Sequence, residues 1–430
     1  MTIFKFGGSN FQSKNAFDNF LHIVSQINSP TLIVISALGK TTRRLSEALK
    51  LAEIGELNRA LSILEKLNNI SANLVSDLIY DKAILDNCNF KIHSVFDEIS
   101  NYFKNIAIIK ELTPRIKDKV LAFGEEISLI IFDSYLQFHK IDFFSIDARE
   151  IIITDSNYNS ANPINDKIQN NIFNKITPIF RETNVILTQG FIAQDENGNT
   201  TTMGFESSNL TAILFAEFLD AKQITIWTDV EGVFNIDPNI YPNALPIPYL
   251  SYYQAKLFAR YGNKLFYPKM IETAKSHNIT IIYKSLLNPN GKQTIISNKQ
   301  DFDKTLFVFI DNFYNYKFSI RDNSSAQTIL TNFTRSNNYQ NIIIKNNDFI
   351  SLMTERNDID IFRNIASTSL SLIYLINPNI LSVYKTITEY SDLFVNLDFR
   401  LMPIEDNVFA LTFKATNNKD LNKIISILIN

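Results

Sequence analysis

The sequence predicts an α/β domain with a mostly parallel sheet over about residues 1–295, followed by a smaller α+β region over 305–430. Three observations predict this. The apolar runs at 2–6 (TIFKF) and 31–37 (TLIVISA) each end in small residues, as buried parallel strands do. Between them Ala16, Phe17, Phe20, Leu21, Val24 and Ile27 recur at helical spacing, which makes a strand–helix–strand unit. The 11 glycines thin out along the chain and none follows Gly291, so the two regions differ in composition. At 430 residues the chain also exceeds what one hydrophobic core supports.

The elements follow in order. Residues 43–110 read as long and helical, with Leu45, Leu49, Ala52, Leu61, Leu64 and Leu67 along a stripe. A helix is expected at 120–138, strands at 141–146 and 184–188, a helix at 208–219 and a strand at 224–228. This alternation argues for helices covering a parallel sheet. The segment 284–296 (KSLLNPNGKQTII) has turn chemistry and reads as a break. Beyond it, strands are expected at 306–310, 341–352, 371–376 and 408–414, with FVNL as a further short run and a closing helix in TNNKDLNKIISILIN.

Composition excludes several classes. A net charge of −3 carries no nucleic-acid footprint, and the densest basic cluster, Lys40 to Arg44, is short. A single cysteine, Cys88, forms no internal disulfide; it fits a reducing cytoplasm and reads as a small buried hydrophobe. No secretory leader pattern and no run near the roughly 20 apolar residues of a membrane helix is visible, so a cytoplasmic protein without a membrane partner is expected. His22, His93, His139 and His277 are dispersed, which points to no protein-held metal.

Chemistry concentrates in the loops after predicted strands. Lys5-Phe6-Gly7-Gly8-Ser9 sets a cation at a strand end with bare amides beyond it, a combination that suits phosphate. A tight turn with a solvent lysine is the alternative. Ser36-Ala37-Leu38-Gly39-Lys40-Thr41-Thr42 imitates the tail of a phosphate-binding P-loop, but Val34 stands where its first glycine belongs. The hydroxyls of Ser36 and Thr42 remain candidate substrate contacts.

Read together, these segments resemble the amino-acid kinase superfamily and, within it, the aspartate kinases. KFGGS and SALGKTT match the first two blocks, Phe123-Gly124-Glu125 with Ser128 is similar to G-E-x-x-S, and Thr188-Gln189-Gly190-Phe191 to T-Q-G-F. Trp227-Thr228-Asp229-Val230-Glu231-Gly232-Val233 with Asp237-Pro238 resembles T-D-V-x-G-V…D-P-R, and residues 251–268 resemble the S-Y…G-x-K…P block. The blocks keep family order over about residues 3–295.

The resemblance implies a three-layer αβα sandwich and ATP-dependent phosphorylation of the side-chain carboxylate of L-aspartate, with Mg²⁺ arriving on the nucleotide. It implies that Lys5 and Lys264 neutralise phosphates and that Gly7, Gly8 and Ser9 donate amides to them. Ser36, Thr228, Asp229, Phe234 and Asp237 would lie along the nucleotide. Glu125 would pair the substrate ammonium, with Ser36, Thr42, Phe191, Phe205 and Ser208 lining the acceptor pocket and Asn209 among the catalytic residues. The C-terminal region would hold two degenerate ACT modules that pair into a homodimer. Its lack of glycine argues against amino-acid effectors binding there.

The loop Gly204-Phe205-Glu206-Ser207-Ser208-Asn209 departs from the family pattern. Phe205 replaces an arginine and Asn209 an aspartate; Asn239 replaces the D-P-R arginine, and Arg43 an asparagine. Losing one charged partner of a buried anion costs on the order of 2–5 kcal/mol. Three readings stay open: an aspartate kinase with a compensating cation such as Arg43, a kinase for another carboxylate, and a non-catalytic homologue.

Overall fold

A computed structural model describes residues 1–430 except 12, 205–206, 263–264, 299–300, 320–341, 346–348, 355–366, 377, 391–399, 414–417 and 430. The chain divides into two compact units, one of residues 1–233, 248–252 and 269–300, the other of 234–247, 253–268 and 301–430.

The first unit is built on an eight-stranded sheet. Its elements are β1 (Thr2–Phe6), α1 (Lys14–Ser25), β2 (Thr31–Ile35), α2 (Thr41–Glu53), α3 (Leu57–Leu78), α4 (Lys82–Ile109), α5 (Pro114–Phe138), β3 (Phe144–Ser145) and β4 (Val185–Gln189). After these come α6 (Ser208–Phe218), β5 (Gln223–Thr228), β6 (Tyr249–Ser251), β7 (Thr280–Ser285) and β8 (Gln293–Ser297). The strand order is β6-β8-β7-β5-β1-β2-β4-β3, and every pair except β7–β8 is parallel. β2 is buried at all five positions, as a central strand covered on both faces must be.

Alternation along the strands separates the two faces. Phe6, Ile33, Ile35, Val185 and Leu187 join a core with α1 to α5. Ile3, Leu32, Val34 and Ile186 point the other way, where α6 packs with Leu210, Ile213 and Phe215 buried. The α/β sandwich with a mostly parallel sheet is therefore present. Its densest part is aromatic: Phe132 on α5 meets Phe11, Phe17 and Phe20 at centroid distances of 4.8, 5.2 and 4.9 Å.

Four elements differ from the sequence reading. The stretch 43–110 is three helices, divided at Gly55, whose φ of +85° suits glycine, and before Asp81, whose carboxylate caps α4 by accepting from Ile84 N–H. α5 starts at Pro114 rather than 120, capped by Thr113. The supposed break at 284–296 is the turn of an antiparallel β7–β8 hairpin that extends the sheet, with Ile281 opposite Ile296. The expected strand at 341–352 is two paired strands, on either side of the polar run Asn346-Asn347-Asp348.

The second unit carries an antiparallel sheet of β9 (Leu306–Ser319), β10 (Ile342–Lys345), β11 (Phe349–Thr354), β12 (Ser367–Ile376), β13 (Arg400–Glu405) and β14 (Val408–Phe413), with α7 (Ile380–Glu389) and α8 (Asn418–Ile429). Its strand order is β10-β11-β9-β12-β14-β13. Phe307, Ile373, Leu375, Leu411 and Phe413 form its core with Val383, Ile424 and Ile425 from the helices. The FVNL run lies outside the described residues. No helix among the described residues is long and apolar enough to cross a membrane. In urea unfolding, Phe132→Ala is expected to cost about 3–5 kcal/mol; a loss below about 1 kcal/mol would show the aromatic cluster to be loosely packed.

Candidate active site

Parallel pairing brings the ends of the central strands level. Phe6 lies opposite both Ile35 and Trp227, Ile35 lies opposite Gln189, and Thr228 lies opposite Ser285. The loops after β1, β2, β4 and β5 therefore open at one sheet edge, the edge where open α/β sheets bind ligands. Lys5, Val34, Thr188 and Ile226 occupy one row, on the face that α6 covers.

The glycine pair divides its work. A Cβ at Gly8 would sit 1.7 Å from the Ala37 carbonyl oxygen, so no side chain fits. The Gly8 carbonyl in turn accepts from Gly39 N–H at 2.9 Å, which interlocks the first two loops. Gly7 is different: its nearest neighbours lie at ordinary contact distance, among them Lys5 Nζ at 3.8 Å. Its amide donates to the Trp227 carbonyl at 3.2 Å, which corrects the expectation that Gly7 offers an amide to phosphate. What Gly7 offers is bare backbone beside the lysine.

On the neighbouring loops, Ser36 Oγ is buried without a partner among the described residues, and Thr42 is half-buried against Gly124. Gly190 comes so close to Ser208 that a Cβ would lie 2.6 Å from the serine Cβ, which seats the start of α6 directly on the strand end. Phe191 is buried at φ +70°, a conformation costly for a bulky residue, and is held by Thr211 Oγ1 accepting from its N–H and by Met203 N–H donating to its carbonyl. Asn209 Oδ1 is buried and unpartnered. Thr228 directs its hydroxyl to its own turn, donating to the Val230 carbonyl at 3.0 Å, while Asp229 is exposed.

Phe234 and Asp237 belong to the second unit, where Asp237 accepts from both the N–H and the side-chain amide of Asn239. Lys264 and Phe205 lie outside the described residues. Arg43 pairs with Glu47 on the surface of α2 at 3.5 Å and is 77% exposed, so nothing in its placement makes it a compensating cation.

Glu125 is the most unusual titratable group. It is 3% exposed; Oε1 accepts from Ala37 N–H at 3.4 Å and Oε2 has no partner among the described residues. Burial pushes its carboxyl up to about 8, and only the Ala37 and its own backbone amide oppose that. Seven of the eleven unpartnered buried polar atoms among the described residues come from this one edge: those of Asn10, Ser36, Glu125, Thr188, Ser207, Asn209 and Trp227. Such atoms are scarce in native proteins, so their concentration makes this edge the candidate site. Sequence reasoning assigned no role to Thr188 or Ser207, though both sit inside segments it singled out.

A model of the amino acid kinase family matches residues 1–284. The chain belongs to that family. This family member is 30% identical over 314 residues to aspartokinase 1, chloroplastic, of Arabidopsis thaliana, covering 72% of this chain and 54% of that protein. It is 27% identical to the lysine-sensitive aspartokinase 3 of Escherichia coli over 306 residues, 70% of this chain and 65% of that protein. It thus spans about half to two thirds of the length of these curated relatives. Its fold matches E. coli aspartokinase III crystallised with aspartate and ADP, at a TM-score of 0.80 and 22% identity with both chains fully covered. The aspartate kinase of Clostridium acetobutylicum follows at 0.74 and 18%, again over both full chains. The family member is a divergent one.

Two outcomes follow. Gly8→Ala should destabilise by about 1–3 kcal/mol or more, whereas Gly7→Ala should fold with near-native stability; equal melting of the two variants would refute the interlock. Glu125 binds a proton in the native state that the unfolded chain releases near its ordinary 4.5. Its contribution is therefore full below that pH and is lost as pH rises toward about 8. Glu125→Gln should gain stability relative to wild type across this window, by up to about 1.4 kcal/mol per pH unit. A difference independent of pH would mean that Glu125 ionises normally.

Proposed function

We propose that the protein is an aspartate kinase that transfers the γ-phosphoryl group of ATP to the side-chain carboxylate of L-aspartate, giving aspartyl phosphate. The observation that carries this reading is the Lys5 ammonium beside the bare backbone of Gly7, at the end of the central strand and on the α6 face. Transfer between two anions needs charge offset and fixed donors more than covalent chemistry. Lys5 supplies the charge, and the amides of Gly8 and Ser9 follow in the chain at the start of a short 3₁₀ turn. The site fits a nucleotide in that respect. Thr228 and Asp229 would border it, and the family resemblance assigns Lys264 to the same phosphates, while Mg²⁺ bound through them would supply further neutralisation.

On the acceptor side, Ser36, Thr42 and Ser208 contribute hydroxyls, and the unpartnered Oε2 of Glu125 suits the substrate ammonium. Docking a cation against Glu125 would drive off its proton, so acceptor binding near neutral pH should release protons to buffer. Asn209, uncharged where the family has aspartate, favours a second reading in which the acceptor is a related carboxylate. The second unit would serve as an ACT-like homodimerisation platform, and the whole protein as a cytoplasmic enzyme of amino-acid biosynthesis.

The test is ATP turnover with L-aspartate and hydroxylamine trapping of the acyl phosphate. Lys5→Ala should lower the rate by at least about 10²-fold. Turnover with another carboxylate alone would transfer the assignment to the second reading. Full activity of the alanine variant would remove Lys5 from the chemistry.

A further inference from the structure

The loop that carries Ser36 and Thr42 is fixed from behind by α5. At Gly124 a Cβ would lie 3.2 Å from Ala37 Cβ and 3.3 Å from Thr42 Oγ1, so the helix lies flush against the loop. One residue on, Glu125 Oε1 accepts from Ala37 N–H at 3.4 Å. One turn on, Ser128 Oγ accepts from Leu38 N–H at 2.9 Å while donating to the Gly124 carbonyl at 3.0 Å. Gly39 N–H is held by the Gly8 carbonyl. Three consecutive loop amides thus have acceptors outside the loop.

These acceptors are unequal. The Glu125 bond is long, and its acceptor changes with protonation. The Ser128 bond is short and insensitive to pH, and its acceptor residue is fully buried although Leu38 is only half-buried. A serine that only bonded back into its own helix would need nothing from Leu38. Here its donor goes to the helix and its acceptor serves the loop.

We propose that Ser128 is a positioning residue for the acceptor: by pinning the Leu38 amide it sets where the Ser36 and Thr42 hydroxyls stand, without touching the acceptor itself. This rests on the aspartate-kinase reading for its kinetic consequence, and on geometry alone for its structural one. Removing the hydroxyl takes away the acceptor of the Leu38 N–H and frees the loop to sample other shapes.

The test pairs two measurements on the full chain. Ser128→Ala should speed hydrogen exchange at the Leu38 amide about tenfold and raise the KM for L-aspartate by a similar factor. The KM for ATP should change little. Ser128→Thr, which keeps the oxygen, should restore both readouts, and Ser128→Cys, a weaker acceptor, should fall between. Unchanged Leu38 exchange in the alanine variant overturns the proposal. So does a loss confined to kcat and melting temperature with the aspartate KM intact, the pattern of a merely structural serine. Should the alanine variant fail to fold, the cysteine variant decides by the same two readouts. If the wild-type protein turns over no acceptor, Leu38 exchange still decides the clamp, and the kinase reading fails separately.

Discussion

The site depends on one contact between two loops. The α-carbon of Gly8 rests against the Ala37 carbonyl, and its own carbonyl takes the Gly39 amide. That contact fixes the exit of β1 relative to the exit of β2. From it follow the place of Lys5, the start of α2 and the line along which α5 can approach. A single extra methyl group at Gly8 would separate all of them, because packed interiors transmit a displacement instead of absorbing it.

Around this contact the molecule keeps charges dry on one side and wet on the other. Glu125 sits in the interior with one oxygen unpartnered and a carboxyl raised by burial. Asp229 is exposed at the same edge. A carboxyl held neutral costs little to bury and becomes a strong partner once a cation reaches it. The departures from the family pattern look less alike in the structure than in the sequence. Asn239 is occupied in capping Asp237, Arg43 is a surface residue paired with Glu47, and Asn209 holds a buried oxygen without a partner. Of these three, only Asn209 presents a buried polar atom without a partner among the described residues.

Much of the first unit was legible in the sequence. Strands β1, β2, β4 and β5 and helices α1 and α6 fall where apolar runs and helical spacing put them, because buried strands and amphipathic helices write their periods directly. The β7–β8 hairpin was not legible: Asn288-Pro289-Asn290-Gly291 signals a turn equally well whether it separates domains or joins paired strands. The helix boundaries at Gly55 and Asp81 were missed because one continuous apolar stripe fits a single helix or several. At the candidate site, residue types singled out the paired-glycine loop but not its division of labour. Whether an amide is available or already bonded to a neighbouring strand, as at Gly7, is a property of register, and register is decided by residues far away in the chain.

One further feature has a use beyond stability. The chain has a single tryptophan, Trp227, and it lies at the end of β5, stacked on Phe6 with the Lys284 ammonium 5.3 Å from its ring. Indole emission from the entire polypeptide therefore originates one residue from Thr228. The protein carries a built-in optical gauge of the edge where its central loops open, and no second indole dilutes it.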